Sequence, residues 1–377
     1  MHILYPIGTY YPAQSGGPSN SVYWLARALR QQSVQVTVVS TDTDQPADTP
    51  RNQWLDTDAG RVLYAQTRHH RLPIRAIRAA LSQLPTADVV HLTSLFYTTS
   101  LVVGWVALRG GKRIVWSPRG ELASAARTHR STLKNVVLNW LKRQAPRITF
   151  HVTSPAEATD VQAVFGPEAT IVQLPNYLDL PPLMPRVAGR YLLFLGRLHP
   201  IKGLDNGLRA LAQSRAFVQG NWQFRIVGPD PDQYGNHLRE LATYLGIAQR
   251  IQIEAPVTGV AKTQLLANAH ALLLPSHSEN FGNVVVEALA QATPVIAATG
   301  TPWQVVADRQ AGFWVSNQPD RLAAAIDACL SLPAPTYAAY RQNAHQLAQD
   351  TFDSKANAWR WVEAYQRILN PVALCAE

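Results

Sequence analysis

Cysteine is nearly absent. The 377 residues hold two, Cys329 and Cys375, and neither lies at a metal-ligand or disulfide spacing, so a reducing compartment is the simplest setting. Long apolar runs are lacking too. The nearest, LVVGWVAL, is ended by Arg109, well short of the ~20 residues a membrane span requires. The opening MHILYPIG passes at once into Tyr, Pro, Gly and Ser, so it reads as a first buried strand and not as a signal peptide. No GxGxxG follows that strand, which argues against a nicotinamide enzyme. No short-period repeat, low-complexity segment or recognised nucleic-acid module occurs.

What is present suits a well-buried enzyme. Apolar residues make up 47% and charged residues 16%, the balance of a globular and not a disordered chain. The length exceeds what one hydrophobic core serves, so two domains are expected. The net charge of +9 is uneven: residues 1–180 carry 18 Lys/Arg against 11 Asp/Glu, and the remainder 16 against 14. Two readings fit the basic first half: an ordinary soluble surface, or a face for phosphates or an anionic membrane.

Apolar strand-like runs alternate with helix-like segments. HILYPI, VQVTVVS, RVLYAQT, DVVHLTS, RIVWSP, FHVTS and TIVQLP come first. The pattern pauses at residues 175–190, a linker containing Pro175, Pro181, Pro182 and Pro185. A second series follows: YLLFLG, QFRIVG, IQIEAP, ALLLPS, PVIAA and GFWV. Val, Ile and Leu on both faces predict parallel sheets covered by helices. The expectation is two doubly wound domains with a crevice between them, their ligands lying beyond the carboxyl ends of the strands. The tail SKANAWRWVEAYQRIL has helical apolar spacing.

Three stretches could carry chemistry. In HSENFGNVVVEALAQATPVIA, Glu279 falls in the loop at a strand's carboxyl end, beside a helix starting near Gly282. The amides of Phe281, Gly282 and Asn283 would there be free for hydroxyl or phosphate oxygens, and Gly282 would let a ligand approach the backbone closely. Glu287, inside VVVEALA, needs a partner among apolar neighbours. The vicinal diol of a ribose would serve, as would an ion pair with a nearby Arg. In YLLFLGRLHPIKGLD, a strand ends at Gly196-Arg197, and Lys202 precedes the next helix. Both cations could stabilise the charge growing on a departing diphosphate, or be plain surface charges. In YYPAQSGGPSNSVYWLARAL, Gly16 and Gly17 occupy the loop after the first strand and Pro18 suits a first helical turn.

Together, in this order, these stretches resemble the retaining glycosyltransferases of the GT-B fold, specifically glycosyltransferase family four. PSHSENFGNVVVEALAQATPVIA looks like its two-glutamate signature and GRLHPIKG like its phosphate-binding segment. LPNYLD resembles its linker motif and GGPSNSVYWLARAL its glycine loop. The resemblance implies an α/β, GT-B architecture: two Rossmann-like domains facing across a cleft. Residues 1–180 would bind the acceptor, residues 181–350 the nucleotide sugar, and residues 351–377 would form a helix crossing back onto the first domain. It implies that Glu279, Phe281 and Gly282 hold the donor sugar, that Glu287 holds the ribose, and that Arg197 and Lys202 neutralise the diphosphate. A hexosyltransferase would then move a sugar to an acceptor hydroxyl with retained configuration. The resemblance implies no cofactor and no metal; the leaving phosphate accepts the acceptor's proton, so no glycosidase-type carboxylate pair is needed. A polysaccharide or glycolipid role in the cytoplasm is implied, with peripheral contact at the inner membrane face an option. A nucleotide-sugar epimerase and a non-catalytic nucleotide-sugar binder are the alternatives.

Two positions depart from that pattern. Arg119, in RIVWSPRGEL, stands where many relatives carry a His; it could contact phosphate or acceptor. Tyr177 stands where the linker motif usually has Gly, which predicts altered hinge geometry. Asp42-Thr-Asp44 and Asp56-Thr-Asp58 read as solvated loop carboxylates, with a divalent-metal role as the other option. His91 and His151 read as hydrogen-bonded structural histidines and His277 as a loop-shaping one. Ser154 and Glu157 read as a capping box. ARTHRSTLKNVVLNWLKRQAPR reads as a basic amphipathic helix with a solvated face, or one meeting an anionic membrane or a lipid diphosphate.

Overall fold

A computed structural model of the protein describes residues 1–13, 17–69, 72–123 and 132–370. Two compact units result: Met1–Asp179 together with the segment from Ser354 onward, and Leu180–Asp353. Unit 1 contains β1 (His2–Ile7), β2 (Gln35–Thr41), β3 (Trp54–Thr57), β4 (Gly60–Ala65), β5 (Val89–Thr93), β6 (Arg113–Ser117), β7 (Ile148–Val152) and β8 (Ile171–Gln173). Unit 2 contains β9 (Tyr191–Leu195), β10 (Gln223–Val227), β11 (Ile251–Glu254), β12 (Ala271–Leu274), β13 (Val295–Ala298) and β14 (Gly312–Val315).

The sheet orders are β3-β4-β2-β1-β5-β6-β7-β8 and β11-β10-β9-β12-β13-β14. Among the described residues the ladders run parallel except β3 against β4. Parallel strands covered on both faces must be apolar throughout, and all six residues of β1 are buried, as are all four of β12. In each unit the chain winds outward from one strand and then restarts beside it. The switch falls between β1 and β5 in unit 1 and between β9 and β12 in unit 2. The loops leaving those strands diverge there and open a crevice at their carboxyl ends.

The tail belongs to unit 1, as the resemblance implied. In the helix Trp359–Leu369, Trp361 and Tyr365 are buried one turn apart and join Tyr5, Val36, Leu25 and Tyr177 in one core layer. The amide of Ser354 donates to the Leu178 carbonyl at 2.9 Å.

Two local expectations need correction. Residues 54–57 are not loop but the antiparallel edge strand β3; none of its four residues is buried, so it shows no continuous apolar run. Gly17 is not in the loop but is the first residue of the helix Gly17–Gln31. Gly16 lies outside the described residues, as do residues 126–131 of the basic segment. The rest of that segment forms the helix Thr132–Gln144, with Leu141 buried.

Candidate functional site

The switch point of unit 2 is closed by backbone contacts that side chains would block. Gly203 has φ +61°, and a Cβ there would lie 2.2 Å from the Pro275 carbonyl oxygen. The amide of His277 donates to the Ile201 carbonyl at 2.9 Å. The loop after β9 is thus pressed against the loop after β12. Lys202, the last residue of the short 3-10 turn Pro200–Lys202, is thereby placed against Glu279: Nζ donates to Oε2 at 2.5 Å. Both side chains are less than one-fifth exposed, and Oε1 of Glu279 has no protein donor among the described residues.

The helix beginning there runs Asn283–Ala290, and its N-cap, Gly282, sits at φ +83°. The Glu279 amide donates to the Gly300 carbonyl at 3.1 Å. Phe281 is buried against Trp303, whose indole N–H donates to the Phe281 carbonyl at 2.5 Å. The amides at a helix start have no carbonyl one turn back and suit oxygen ligands, although here that of Val285 already donates to the Gly282 carbonyl at 2.9 Å. Glu287, one turn further on, is bonded by Lys262 Nζ at 2.6 Å, leaving Oε2 without a protein donor among the described residues. The alternative of an ion pair therefore holds for one carboxylate oxygen, with a lysine in the place expected of an arginine. Lys262 lies on the helix Gly259–Asn268 and carried no sequence signal; only the packing of that helix on Asn283–Ala290 brings it in. Arg197 is exposed just past β9 and makes no ion pair or hydrogen bond among the described residues. His277 shapes the loop through Nδ1, which accepts from Asn317 Nδ2 at 2.8 Å.

In unit 1, Arg119 and Gly120 follow β6 in a turn closed by the Glu121 amide on the Pro118 carbonyl at 3.2 Å. Both central residues have positive φ, +56° and +78°, the mirror-image turn that glycine eases but arginine does not. Two buried carboxylates hold it. Glu121 accepts from Ser94 Oγ at 2.5 Å and from the Leu95 amide at 2.6 Å. Glu157 accepts from the Gly120 amide at 2.8 Å and the Thr153 amide at 2.8 Å. Ser154 does cap its helix, accepting from the Glu157 amide at 3.2 Å. The Glu157 carboxylate, however, is diverted from the expected reciprocal cap to the Arg119 turn. Arg119 Nη1 donates to Asn176 Oδ1 at 2.9 Å, and its shielded Nε has no acceptor. Burial lowers the pKa of the guanidinium, partly opposed by Glu157, Tyr5 and Tyr365.

Beside that turn, His91 and His151 form a buried chain that sequence reasoning did not connect. Tyr5 and Tyr365 hydroxyls are 2.6 Å apart, Tyr365 Oη lies 2.7 Å from His91 Nδ1, and His91 Nε2 2.8 Å from Ser117 Oγ. Ser117 Oγ lies 2.7 Å from His151 Nδ1, and His151 Nε2 3.0 Å from the Leu174 carbonyl. The carbonyl can only accept, so His151 carries its proton on Nε2. Ser117 must then donate to Nδ1 of His151, His91 to Ser117, Tyr365 to His91, and Tyr5 to Tyr365. Every group is neutral and satisfied. Burial, with Arg119 and His151 nearby, holds His91 well below its usual pKa; burial and Arg119 push His151 down to about 3. These histidines are structural, as expected.

The loop aspartates are also in structural use. Asp42 pairs with Arg51 at 3.1 Å and Asp58 with Arg27 at 2.8 Å. Among the described residues no group of three or more His, Cys, Asp or Glu is placed to hold a metal ion. No helix among them is long and apolar enough to cross a membrane.

Two family descriptions match in tandem: "Glycosyl transferase 4-like domain" over residues 16–177 and "Glycosyl transferases group 1" over residues 185–347. The chain belongs to the group 1 glycosyl transferases. A D-inositol 3-phosphate glycosyltransferase of Geodermatophilus obscurus is 32% identical over 309 residues, 72% of this chain and 66% of that one. The enzyme of the same name from Acidothermus cellulolyticus is 36% identical over 148 residues, 37% of this chain and 33% of that one. The chain spans about a third of the length of that relative. Among solved structures, sucrose-phosphate synthase from Thermosynechococcus elongatus superposes with a TM-score of 0.77 at 19% identity, covering 98% of this chain and 99% of that one. Anabaena HepE in complex with UDP and glucose superposes with a TM-score of 0.76 at 18% identity, covering 97% and 99%. These likenesses show the fold, GT-B, with two Rossmann-like parallel-sheet units.

Proposed function

We propose that this group 1 glycosyl transferase moves a sugar from a nucleotide-diphosphate donor to an acceptor hydroxyl with retained configuration. The observation that carries the reading is the Lys202–Glu279 pair at the switch point of unit 2, one loop away from the open helix start at Gly282. A nucleotide sugar presents that place with a diphosphate, a ring of hydroxyls and a ribose. Lys202 and Arg197 neutralise the diphosphate as the bond to the sugar breaks, when its charge is greatest. Glu279 accepts from sugar hydroxyls, with the Phe281, Gly282 and Asn283 amides beside it. Glu287 accepts from the ribose diol through its free Oε2. The bond from the anomeric carbon to the acceptor oxygen forms on the face the diphosphate leaves, and a departing phosphate oxygen takes the acceptor's proton. No metal is called on.

Unit 1 takes the acceptor, with Arg119, Gly16 and Gly17 as contacts. The acceptor panel begins with inositol phosphates, because the curated relatives are named for D-inositol 3-phosphate, and extends to saccharides and lipid-linked sugars of polysaccharide or glycolipid assembly. A cytoplasmic site of action with peripheral membrane contact fits the helix Thr132–Gln144. It exposes Leu133 and Val136 and ends in Lys142 and Arg143.

The test is transfer from labelled nucleotide sugars, UDP-glucose first, to that panel. Product is expected only with an acceptor present, with its anomeric configuration unchanged by NMR, and lost in Glu279→Ala and Lys202→Ala. Full activity in both variants would remove the site assignment, and conversion of the nucleotide sugar without acceptor would mean an isomerase.

A further inference from the structure

A second cationic centre lies at the opposite edge of the unit 2 sheet, where β9, β10 and β12 begin. Arg190 immediately precedes β9, Trp222 precedes β10 and His270 precedes β12. With a strand length of about five residues, this edge is roughly 15 Å from the Lys202–Glu279 pair. Three rings and two guanidinium planes meet there in series. The Arg190 guanidinium lies 5.2 Å from the Trp222 ring, Trp222 packs edge-on to His270 at 4.6 Å, and His270 stacks on Tyr337 at 4.2 Å and 2°. The Arg186 guanidinium lies at the Tyr337 end of the series, 5.6 Å from that ring's centre.

The charges in this centre have no counter-ion. Arg341 and Arg186 converge on Tyr337, whose hydroxyl accepts from Arg186 Nη2 at 3.3 Å and donates to the His270 carbonyl at 2.8 Å. Among the described residues none of Arg186, Arg190 and Arg341 forms an ion pair with a carboxylate. The neighbouring Glu254 is closed off, both of its oxygens held by Arg225 at 2.6 Å. Arg186 Nε and Arg341 Nη1 are shielded from water with no acceptor. Burial and then the charge of Arg186 lower the pKa of Arg341; burial first, and then to a lesser degree Arg186, Arg341 and Arg190, lower that of His270. Shielded N–H donors and adjacent like charges are each destabilising, and one oxyanion would satisfy both.

The scaffold is also built in advance. The strap carrying Arg186 and Arg190 is tied to the helix Gly259–Asn268. Val187 N donates to Asn268 Oδ1 at 2.9 Å, Gly189 N to the Asn268 carbonyl at 2.9 Å, and Gln264 Nε2 to the Pro185 carbonyl at 2.8 Å. Gly189 is required, since a Cβ there would lie 2.2 Å from the Tyr191 ring.

We propose that Arg186 and Arg341, where they converge on Tyr337, form a phosphate-monoester site separate from the donor site. Their guanidinium forks grip the phosphate oxygens. The group recognised is a terminal phosphate, borne by a small metabolite or by a lipid headgroup.

Inorganic phosphate is the probe, titrated by thermal shift into wild type, Lys202→Ala, Arg186→Gln and Arg341→Gln in a phosphate-free buffer. At ten times its Kd, phosphate is expected to raise Tm by about 3 °C in wild type and in Lys202→Ala, and not in either arginine variant. Arg341→Gln is further expected to melt at or above wild type without phosphate, because it removes an uncompensated like charge; this also shows that the variant folds. Sedimentation with phosphatidylcholine vesicles containing phosphatidic acid separates the sources. Binding that Arg341→Gln abolishes assigns a lipid headgroup, and no such binding alongside a retained phosphate response assigns a soluble metabolite. A phosphate response unchanged in both arginine variants, or one lost in Lys202→Ala, overturns the proposal.

Discussion

Lys202 and Glu279 hold each other at 2.5 Å, so a diphosphate must compete with a carboxylate for the same ammonium. Under the proposed reading that competition couples the two ends of the donor. When phosphate oxygens take Lys202, Glu279 is released toward the sugar hydroxyls. Glu279→Gln is therefore expected to bind a nucleoside diphosphate several-fold more tightly than wild type, while transfer falls on the order of 100-fold or more. Calorimetric titration with UDP, beside the transfer assay, reads both. Weaker UDP binding in this variant would show that the carboxylate merely positions the lysine. Arg119 is built differently, with a shielded Nε awaiting an acceptor and a backbone pinned by Glu157 and Glu121. Arg119→Gln is expected to raise the KM for an anionic acceptor about tenfold or more and to leave nucleotide binding unchanged. Equal loss for charged and uncharged acceptors would count against a direct contact.

The elements carrying these side chains depend on two left-handed glycines. Gly282 takes φ +83° as the N-cap of the helix Asn283–Ala290, with its Cβ position 3.2 Å from Glu279 Cγ. Gly282→Ala is expected to cost about 1–2 kcal/mol in urea unfolding and, by pushing Glu279 aside, to reduce transfer far more than that loss explains. Gly203→Ala meets carbonyl backbone at 2.2 Å, which cannot step aside as a side chain can, so its unfolding cost is expected to be the larger. Equal stability of the two variants would contradict the contact geometry. These elements also show what was legible beforehand. ALLL and HILYPI could be read as strands because both faces of a parallel sheet demand apolar residues, and the loop after ALLL placed Glu279 beside a helix start. Trp54–Thr57 was not legible, because none of its residues is buried and so no apolar run marks it. Lys262 meets Glu287 only through the packing of two helices, and Glu157 reaches Gly120 across 37 positions. No local pattern encodes either meeting, whereas the Ser154 cap, made within one turn, was readable.

At the scale of the molecule, the buried chain from Tyr5 to Leu174 ties the first strand, three more strands and the C-terminal helix of unit 1 into one hydrogen-bonded circuit. It works only with both imidazoles neutral, since a proton added to either ring turns an acceptor nitrogen into a donor facing a donor. This fixes the sign of the pH dependence. The unfolded chain protonates His91 and His151 near pH 6.5, whereas the folded pKa of His151 is about 3 and that of His91 is also far below its usual value. Below pH 6.5 the unfolded state binds more protons, so stability falls as pH falls, by up to about 1.4 kcal/mol per unit for each histidine. Glu121 works in the opposite direction, its pKa raised by burial, so the fall in stability between pH 7.5 and pH 5.5 is a lower bound on what the histidines contribute. Hydrogen exchange at the amides of β1, β5 and β6 reports on unit 1 alone. Protection there is expected to drop between those two pH values after correction for intrinsic exchange. His151→Gln, which keeps a donor for the Leu174 carbonyl, should drop by about half as much. An identical drop in wild type and His151→Gln would mean that the circuit does not couple the fold of unit 1 to protons.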